Sequence, residues 1–211
     1  MKIAIYNNKG GVGKTSLTAH IGFRAMETGR AITIVDADRQ NNAMDWLTNG
    51  SWDGNSTVEI GSVKLTKDFG EIDSNDLVVI DCPPAFEVVS NYPDVDIWIV
   101  PVNGRFSVMG SMTVIDEIKA INPKSRIVLI ANMVDMGTKF GKKQLEEIKK
   151  LEVELYKLII PRHDIVGKAE MSTKASWAVP YGSRSLTTQN LKMFSEWVLD
   201  SCKVRGVYNG D

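Results

Sequence analysis

At 211 residues with 43% hydrophobic content, the chain has the length for one well-packed α/β domain and not for two large ones. Its net charge of −1 conceals a polarity: residues 1–100 carry 8 Lys and Arg against 14 Asp and Glu, a balance of −6, while residues 101–211 carry 17 against 12, a balance of +5. Such an asymmetry points to an anionic partner on the C-terminal half. No apolar stretch reaches the roughly 18 residues a spanning helix needs, and the N-terminus reads as a first core strand and not as a signal sequence, so a cytoplasmic protein is expected. Cys82 and Cys202 form no C-x-x-C pair, which argues against a disulfide scaffold or a structural zinc site.

Short apolar runs rich in Ile and Val recur at residues 2–6, 31–35, 77–80, 97–100, 126–131 and 155–160, the pattern of strands buried on both faces of a parallel sheet. Helical patterns lie between most of them. One covers 16–28 and stops at Gly29, a second begins near Asn41 and runs through Trp46, and a third covers 108–121 and stops before Asn122 and Pro123. A fourth covers 142–151, where lysines and glutamates alternate as on an ordinary solvated face, and a last one covers 186–202. Residues 49–56 read as a turn-rich loop, with a short extra strand closing at Glu59. The alternation predicts a doubly wound α/β fold, a mostly parallel sheet with helices on both faces, over a single domain of residues 1–211. Ligands of such sheets gather at the carboxyl ends of the strands.

The first of those ends carries Lys9-Gly10-Gly11-Val12-Gly13-Lys14-Thr15. The usual phosphate-loop pattern, G-x-x-x-x-G-K-[ST], has a glycine five residues before the one preceding lysine. Here that place is Asn8, and the glycines follow an extra basic residue, Lys9. Glycines let backbone N–H groups curl around anionic oxygens, and the helix that follows points its positive end at the same place. Gly10, Gly11, Val12, Gly13, Lys14, Thr15 and Ser16 are therefore the phosphate-binding candidates of a P-loop NTPase fold. Lys14 suits the β- and γ-phosphates of ATP, and the Thr15 hydroxyl suits a bridging Mg2+.

This box resembles the deviant Walker A motif of the ParA/MinD family of ATPases, and the resemblance extends over nearly the whole chain. It implies that Lys9 is the signature lysine, reaching the nucleotide of a second copy in an ATP-sandwiched homodimer. Asp36-Ala37-Asp38-Arg39-Gln40 resembles the family's D-x-D-P-Q box, with Arg39 in the proline position. The match implies that Asp38 positions or deprotonates the attacking water and that Asp36 stands near the magnesium shell. Asp38 is also suited to cap the helix beginning near Asn41. Asp81 ends an apolar run as a Walker B acid does, so Asp81 joins Thr15 and Asp36 as a metal candidate, and Pro83-Pro84 resembles the family's second switch. The stretch 85–95 is shorter than in typical relatives and contains Pro93. Resemblance at residues 130–135 and 159–162 implies that Asn132 and Pro161 hold the adenine ring; each is also an ordinary turn residue.

The resemblance leaves three outputs to weigh. ParA-type dimers bind nucleoid DNA without sequence preference and are stimulated by a cargo-bound, ParB-like partner, with Arg162, Lys168, Lys174, Arg184, Lys192, Lys203 and Arg205 as candidate contacts here. MinD uses a C-terminal amphipathic helix on membranes and positions division machinery; other relatives position a protein compartment. In this chain Glu196 and Asp200 lie on the 186–202 stretch, so a helix docked on the domain is the better reading than membrane insertion. Metal-cluster handling needs cysteines that meet across a dimer, for which Cys82 and Cys202 are poorly placed. ATP-dependent DNA partition, with nucleoid association in the ATP state, is the expectation.

Overall fold

The computed structural model describes residues 1–73, 76–90, 92 and 94–201, with residues 87, 88 and 104–109 described by backbone alone. Pro93, Cys202, Lys203 and Arg205, singled out above, lie outside the described residues. The strands are β1 (Lys2–Ile5), β2 (Ile32–Asp36), β3 (Thr57–Ile60), β4 (Val63–Thr66), β5 (Val78–Asp81), β6 (Ile97–Val102), β7 (Arg126–Val134), β8 (Glu154–Leu155) and β9 (Ile160–Pro161). The helices are α1 (Lys14–Thr28), α2 (Asn42–Leu47), α3 (Phe86–Val89), α4 (Gly104–Ile121), α5 (Lys139–Lys149), α6 (Ile165–Met171) and α7 (Leu186–Asp200). They build one sheet in the order β3-β4-β2-β5-β1-β6-β7-β8, with β9 paired to β7. Every pair is parallel except the β3–β4 hairpin.

Alternation along each strand divides the core in two, as the pleat requires. Ile3, Ile5, Ile34, Val79, Ile99 and Ile130 face α1 and α7, where Leu17, Ile21, Leu191, Phe194 and Val198 pack on them. Ala4, Tyr6, Val35, Ile80, Trp98 and Leu129 face the opposite side with Val114, Ile118 and Ile148 of α4 and α5. Both faces are covered, which explains why these strands read as continuous apolar runs. The last helix buries Leu191, Phe194 and Val198 against α1, as expected of a docked helix. Among the described residues no helix is long and apolar enough to cross a membrane.

The expected single strand at 155–160 is two short pieces. Leu155 pairs with Leu129 and Ile160 with Asn132, so the outer chain advances five residues while β7 advances three. The surplus cannot remain in the ladder, and β7 itself bulges between Asn132 and Val134, with Met133 at φ 54°. The extra strand foreseen at Glu59 is the first arm of the hairpin, whose second arm, β4, and the helix α6 carried no clear periodic signal.

Parallel strands put their carboxyl ends on one edge. Ile5 lies opposite Asp81 on β5, and Asp36 lies opposite Asp81 from the other side. The phosphate-loop motif and the two carboxylates therefore meet because of strand order, not sequence proximity.

Candidate functional site at the strand ends

Gly11 and Gly13 adopt left-handed conformations, φ 71° and 91°, which only glycine enters at little cost. Space is limiting at Gly13 too: a Cβ there would collide with Asn132 Nδ2 and stand 2.8 Å from Met133 Cε. Asn132, buried to 3% exposure, donates from Nδ2 to the Val12 carbonyl at 2.7 Å. Asn7 was not singled out by its sequence. It is 1% exposed, accepts from Lys9 N at 3.0 Å and donates to Pro101 O at 2.9 Å.

Lys14 opens α1 and is buried to 8% exposure. Its ammonium folds back on the loop, donating to Asn7 O at 3.2 Å and Lys9 O at 3.3 Å. Burial lowers its pKa, and attraction to Asp81 opposes that shift. Lys9 stands exposed at the rim. The two lysines thus occupy opposite situations, one sequestered in the cradle and one projecting from it.

The Thr15 hydroxyl donates to Asp81 Oδ2 at 2.8 Å. Oδ1 of the same carboxylate is buried and has no hydrogen-bond partner among the described residues. Burial first, and then the neighbouring Asp36, push the Asp81 carboxyl up to about 7, against the Thr15 hydrogen bond. Asp36 is pushed up to about 6 by burial, with backbone N–H groups opposing. Two dehydrated carboxyls beside a lysine form an incomplete electrostatic set that a dication would complete. No group of three or more His, Cys, Asp and Glu among the described residues could hold a metal by itself. That fits Mg2+, which takes one or two protein ligands and leaves the rest to phosphate oxygens and water.

Asp36 accepts from Asp38 N at 3.3 Å on Oδ1 and from Met44 N at 2.9 Å on Oδ2. It therefore ties the end of β2 to the first turn of α2. The capping role weighed for Asp38 belongs instead to Asp36, because the αL residue Asn41 carries the chain around and aims the helix N–H groups back at the strand end. Asp38 is half-buried and closes a local turn, accepting from Gln40 N at 3.0 Å.

Asn132 and Pro161 both line a cavity of about 460 Å3 that also includes Ser16, His163 and Val166. The volume and the adjacency to Ser16 suit a nucleoside at the end of the phosphate cradle. The Pro161 carbonyl already accepts from Thr187 Oγ1 at 3.0 Å. Arg162, expected on a DNA face, lines this cavity and a second of about 560 Å3 beside Lys9, Gly10 and Phe140. Lys192 is engaged elsewhere: it lies 3.9 Å from Glu27 and over the Trp177 ring, inside the clamp between α1 and α7. Lys168 lies 3.8 Å from Asp164, while Lys174 and Arg184 are exposed.

Comparison with known proteins places the chain in a family. A chromosome-partitioning ATPase, Soj of Thermus thermophilus, is 25% identical over 176 residues, covering 65% of this chain and 71% of its own. The maintenance of carboxysome distribution protein A of Halothiobacillus neapolitanus is 24% identical over 183 residues, covering 79% and 82%. The septum site-determining protein MinD of Pyrococcus horikoshii, solved with Mg-ADP, superposes with a TM-score of 0.66 at 19% identity over 97% of both chains. Residues 3–176 match the model of the CobQ/CobB/MinD/ParA nucleotide binding domain, and the chain belongs to that family.

Proposed function

We propose that this chain is a magnesium-dependent ATPase that dimerises around ATP, binds DNA without sequence preference in that state, and is released on hydrolysis after stimulation by a cargo-bound partner. One observation carries most of the reading. The Thr15 hydroxyl, at the foot of the glycine cradle, is bonded to a carboxylate whose other oxygen is buried without a partner. An orphaned buried carboxylate oxygen costs free energy, and the cost is removed when a cation arrives with the nucleotide.

Thr15 and Asp81 would hold Mg2+, which supplies charge neutralisation across the β- and γ-phosphates when bound. Lys14 exchanges two neutral carbonyl acceptors for phosphate oxygens, and charge-assisted bonds are roughly twice as strong as neutral ones. Asp38, held in its local turn beside Asp36, orients the attacking water and accepts its proton. Asp36 anchors the Asp38 loop through the Asp38 N–H and stands behind Asp81 in the metal surroundings. Asn132 and Pro161 bound the adenine cavity, and Ser16 lies at its phosphate end. Lys9, projecting from the rim, reaches the nucleotide of the second copy. One domain performs all of this in the cytoplasm, and the ATP state gathers on the nucleoid.

A second reading keeps the switch and changes the cargo. The similarity to a carboxysome distribution protein over 82% of that protein's length favours positioning of a protein compartment; MinD-like placement of division machinery is its variant. DNA retention at moderate salt separates working from failing versions of the switch. Retention with ATP and Mg2+ and release with ADP are expected, and equal binding in both states refutes the switch. Asp38→Ala is expected to bind ATP and remain dimeric without turnover, so normal turnover would remove its assigned role. Replacing Lys9 is expected to abolish dimer-dependent hydrolysis while sparing nucleotide binding.

A further inference from the structure

We propose that Asn103 is a positioning residue of the phosphate loop, holding the Gly11 carbonyl out of the cradle. The inference rests on the nucleotide-binding reading above. Asn103 follows β6 and stands at the N-cap of α4, in extended conformation. An asparagine there ordinarily accepts a helix N–H through its side chain. This one makes no such bond. Its Nδ2 reaches across 92 residues of sequence to the Gly11 carbonyl at 3.3 Å and lies 3.8 Å from Met133 Sδ.

Gly11 has no Cβ to oppose rotation of its flanking peptides, so something else must choose which way they face. An inward carbonyl would aim a partial negative charge at phosphate; an outward one leaves the cradle to N–H groups. Two amides impose the outward choice on the loop carbonyls, while Asn7, just past β1, fixes the start of the loop by accepting the Lys9 N–H. Asn132, in β7, takes the Val12 carbonyl. Asn103, just past β6, takes the Gly11 carbonyl. Asn7 and Asn132 are buried, at 1% and 3% exposure, so their loss would disturb the core. Asn103 is half-exposed, which makes its contribution to loop geometry separable from folding. Because α4 starts at the next residue, the same bond ties the loop's shape to the start of that helix.

The test uses the full chain, with mant-ADP and Mg2+ as the binding probe, and with steady-state ATP turnover and thermal melting as companions. Asn103→Ala is expected to weaken mant-ADP binding about tenfold, the weight of one hydrogen bond. KM should rise more than kcat falls, with the melting midpoint unchanged. Asn103→Gln should restore most of the affinity, because it keeps the donor. Asn103→Asp, the same shape with an acceptor facing an acceptor, should bind more weakly than the alanine variant. Unchanged affinity in Asn103→Ala, no rescue by glutamine, or a loss that follows a fall in melting midpoint overturns the proposal. A wild-type chain that binds no mant-ADP overturns the nucleotide reading and this inference together. A wild type that binds, beside an unaffected alanine variant, overturns this inference alone.

Discussion

His20 couples the stability of the fold to acid pH. It is fully buried in α1, with Nδ1 2.6 Å from the Ser16 carbonyl and Nε2 accepting from Ser176 N at 3.2 Å. The Trp46 and Trp177 rings pack edge-on at 5.5 and 5.4 Å. This arrangement requires the neutral Nδ1–H tautomer: a second ring proton would confront the Ser176 N–H, and the surrounding indoles offer no solvation. Burial accordingly lowers the pKa from 6.5 to about 4, opposed by the hydrogen bond to Ser16. The unfolded chain titrates near 6.5, so between pH 6.5 and 4 it takes up a proton that the folded chain refuses. The stability contribution is complete above 6.5 and is lost as pH falls toward 4. At about 1.4 kcal/mol per unit the loss is roughly 3 kcal/mol, a large part of the roughly 5–15 kcal/mol that holds an ordinary domain.

Urea denaturation followed by tryptophan fluorescence, from pH 7.5 to pH 4.5, measures the effect in wild type and in His20→Gln. The variant should be about 1–3 kcal/mol less stable at pH 7.5, because glutamine can offer Oε1 to the Ser176 N–H but loses the ring donor to the Ser16 carbonyl and the edge-on packing against Trp46 and Trp177. Its further loss on acidification should be about 2–3 kcal/mol smaller than that of wild type. Asp36 and Asp81 titrate in the opposite sense in both proteins, so the difference between the two curves isolates the imidazole. Parallel curves would refute the reasoning.

Asp81→Asn should stabilise the nucleotide-free protein by about 2–4 kcal/mol at pH 8. The wild-type carboxyl is raised to about 7, so its burial costs progressively more as pH rises from the ordinary carboxylate range up to that value and is at its full cost above it; the gain should therefore shrink toward pH 4. Denaturation at both pH values checks this, and a variant less stable than wild type at pH 8 would contradict it. The same variant should lose magnesium-dependent nucleotide binding, read by calorimetry with and without Mg2+. Gly141→Ala should cost about 2 kcal/mol or more in urea unfolding, because a Cβ there would collide with the Asp135 carbonyl at the start of α5. Gly13→Ala should abolish nucleotide binding, through strain at φ 91° and collision with Asn132; retained affinity would show that the loop can be rebuilt.

The nucleotide loop was legible because its chemistry is contiguous. Glycines, a lysine and a threonine between a strand and a helix form a recognisable phosphate loop, and Gly29 closes α1 in the expected left-handed conformation, φ 65°. Asp81 was legible as the end of an apolar run. The paired faces of the sheet followed from alternation, since Ile3 and Ile5 must lie opposite Ala4 and Tyr6. What stayed hidden depends on register between distant segments. The 155–160 run looks like one strand until it is laid against the bulge in β7, and the short strand β4 needs its antiparallel partner β3 to be recognised at all.

Local residues alone determined the place and residue content of the phosphate loop, the period of each strand and the residue types available at the strand ends. Tertiary structure decided what those residues do to one another. Thr15 meets Asp81 across 66 positions and Asn132 meets Val12 across 120, while Asp36 and not Asp38 receives the first turn of α2. Dihedral preferences and hydrophobic period act within a few residues, whereas these contacts exist only once strand order has brought the carboxyl ends of β1, β2, β5 and β7 to one edge.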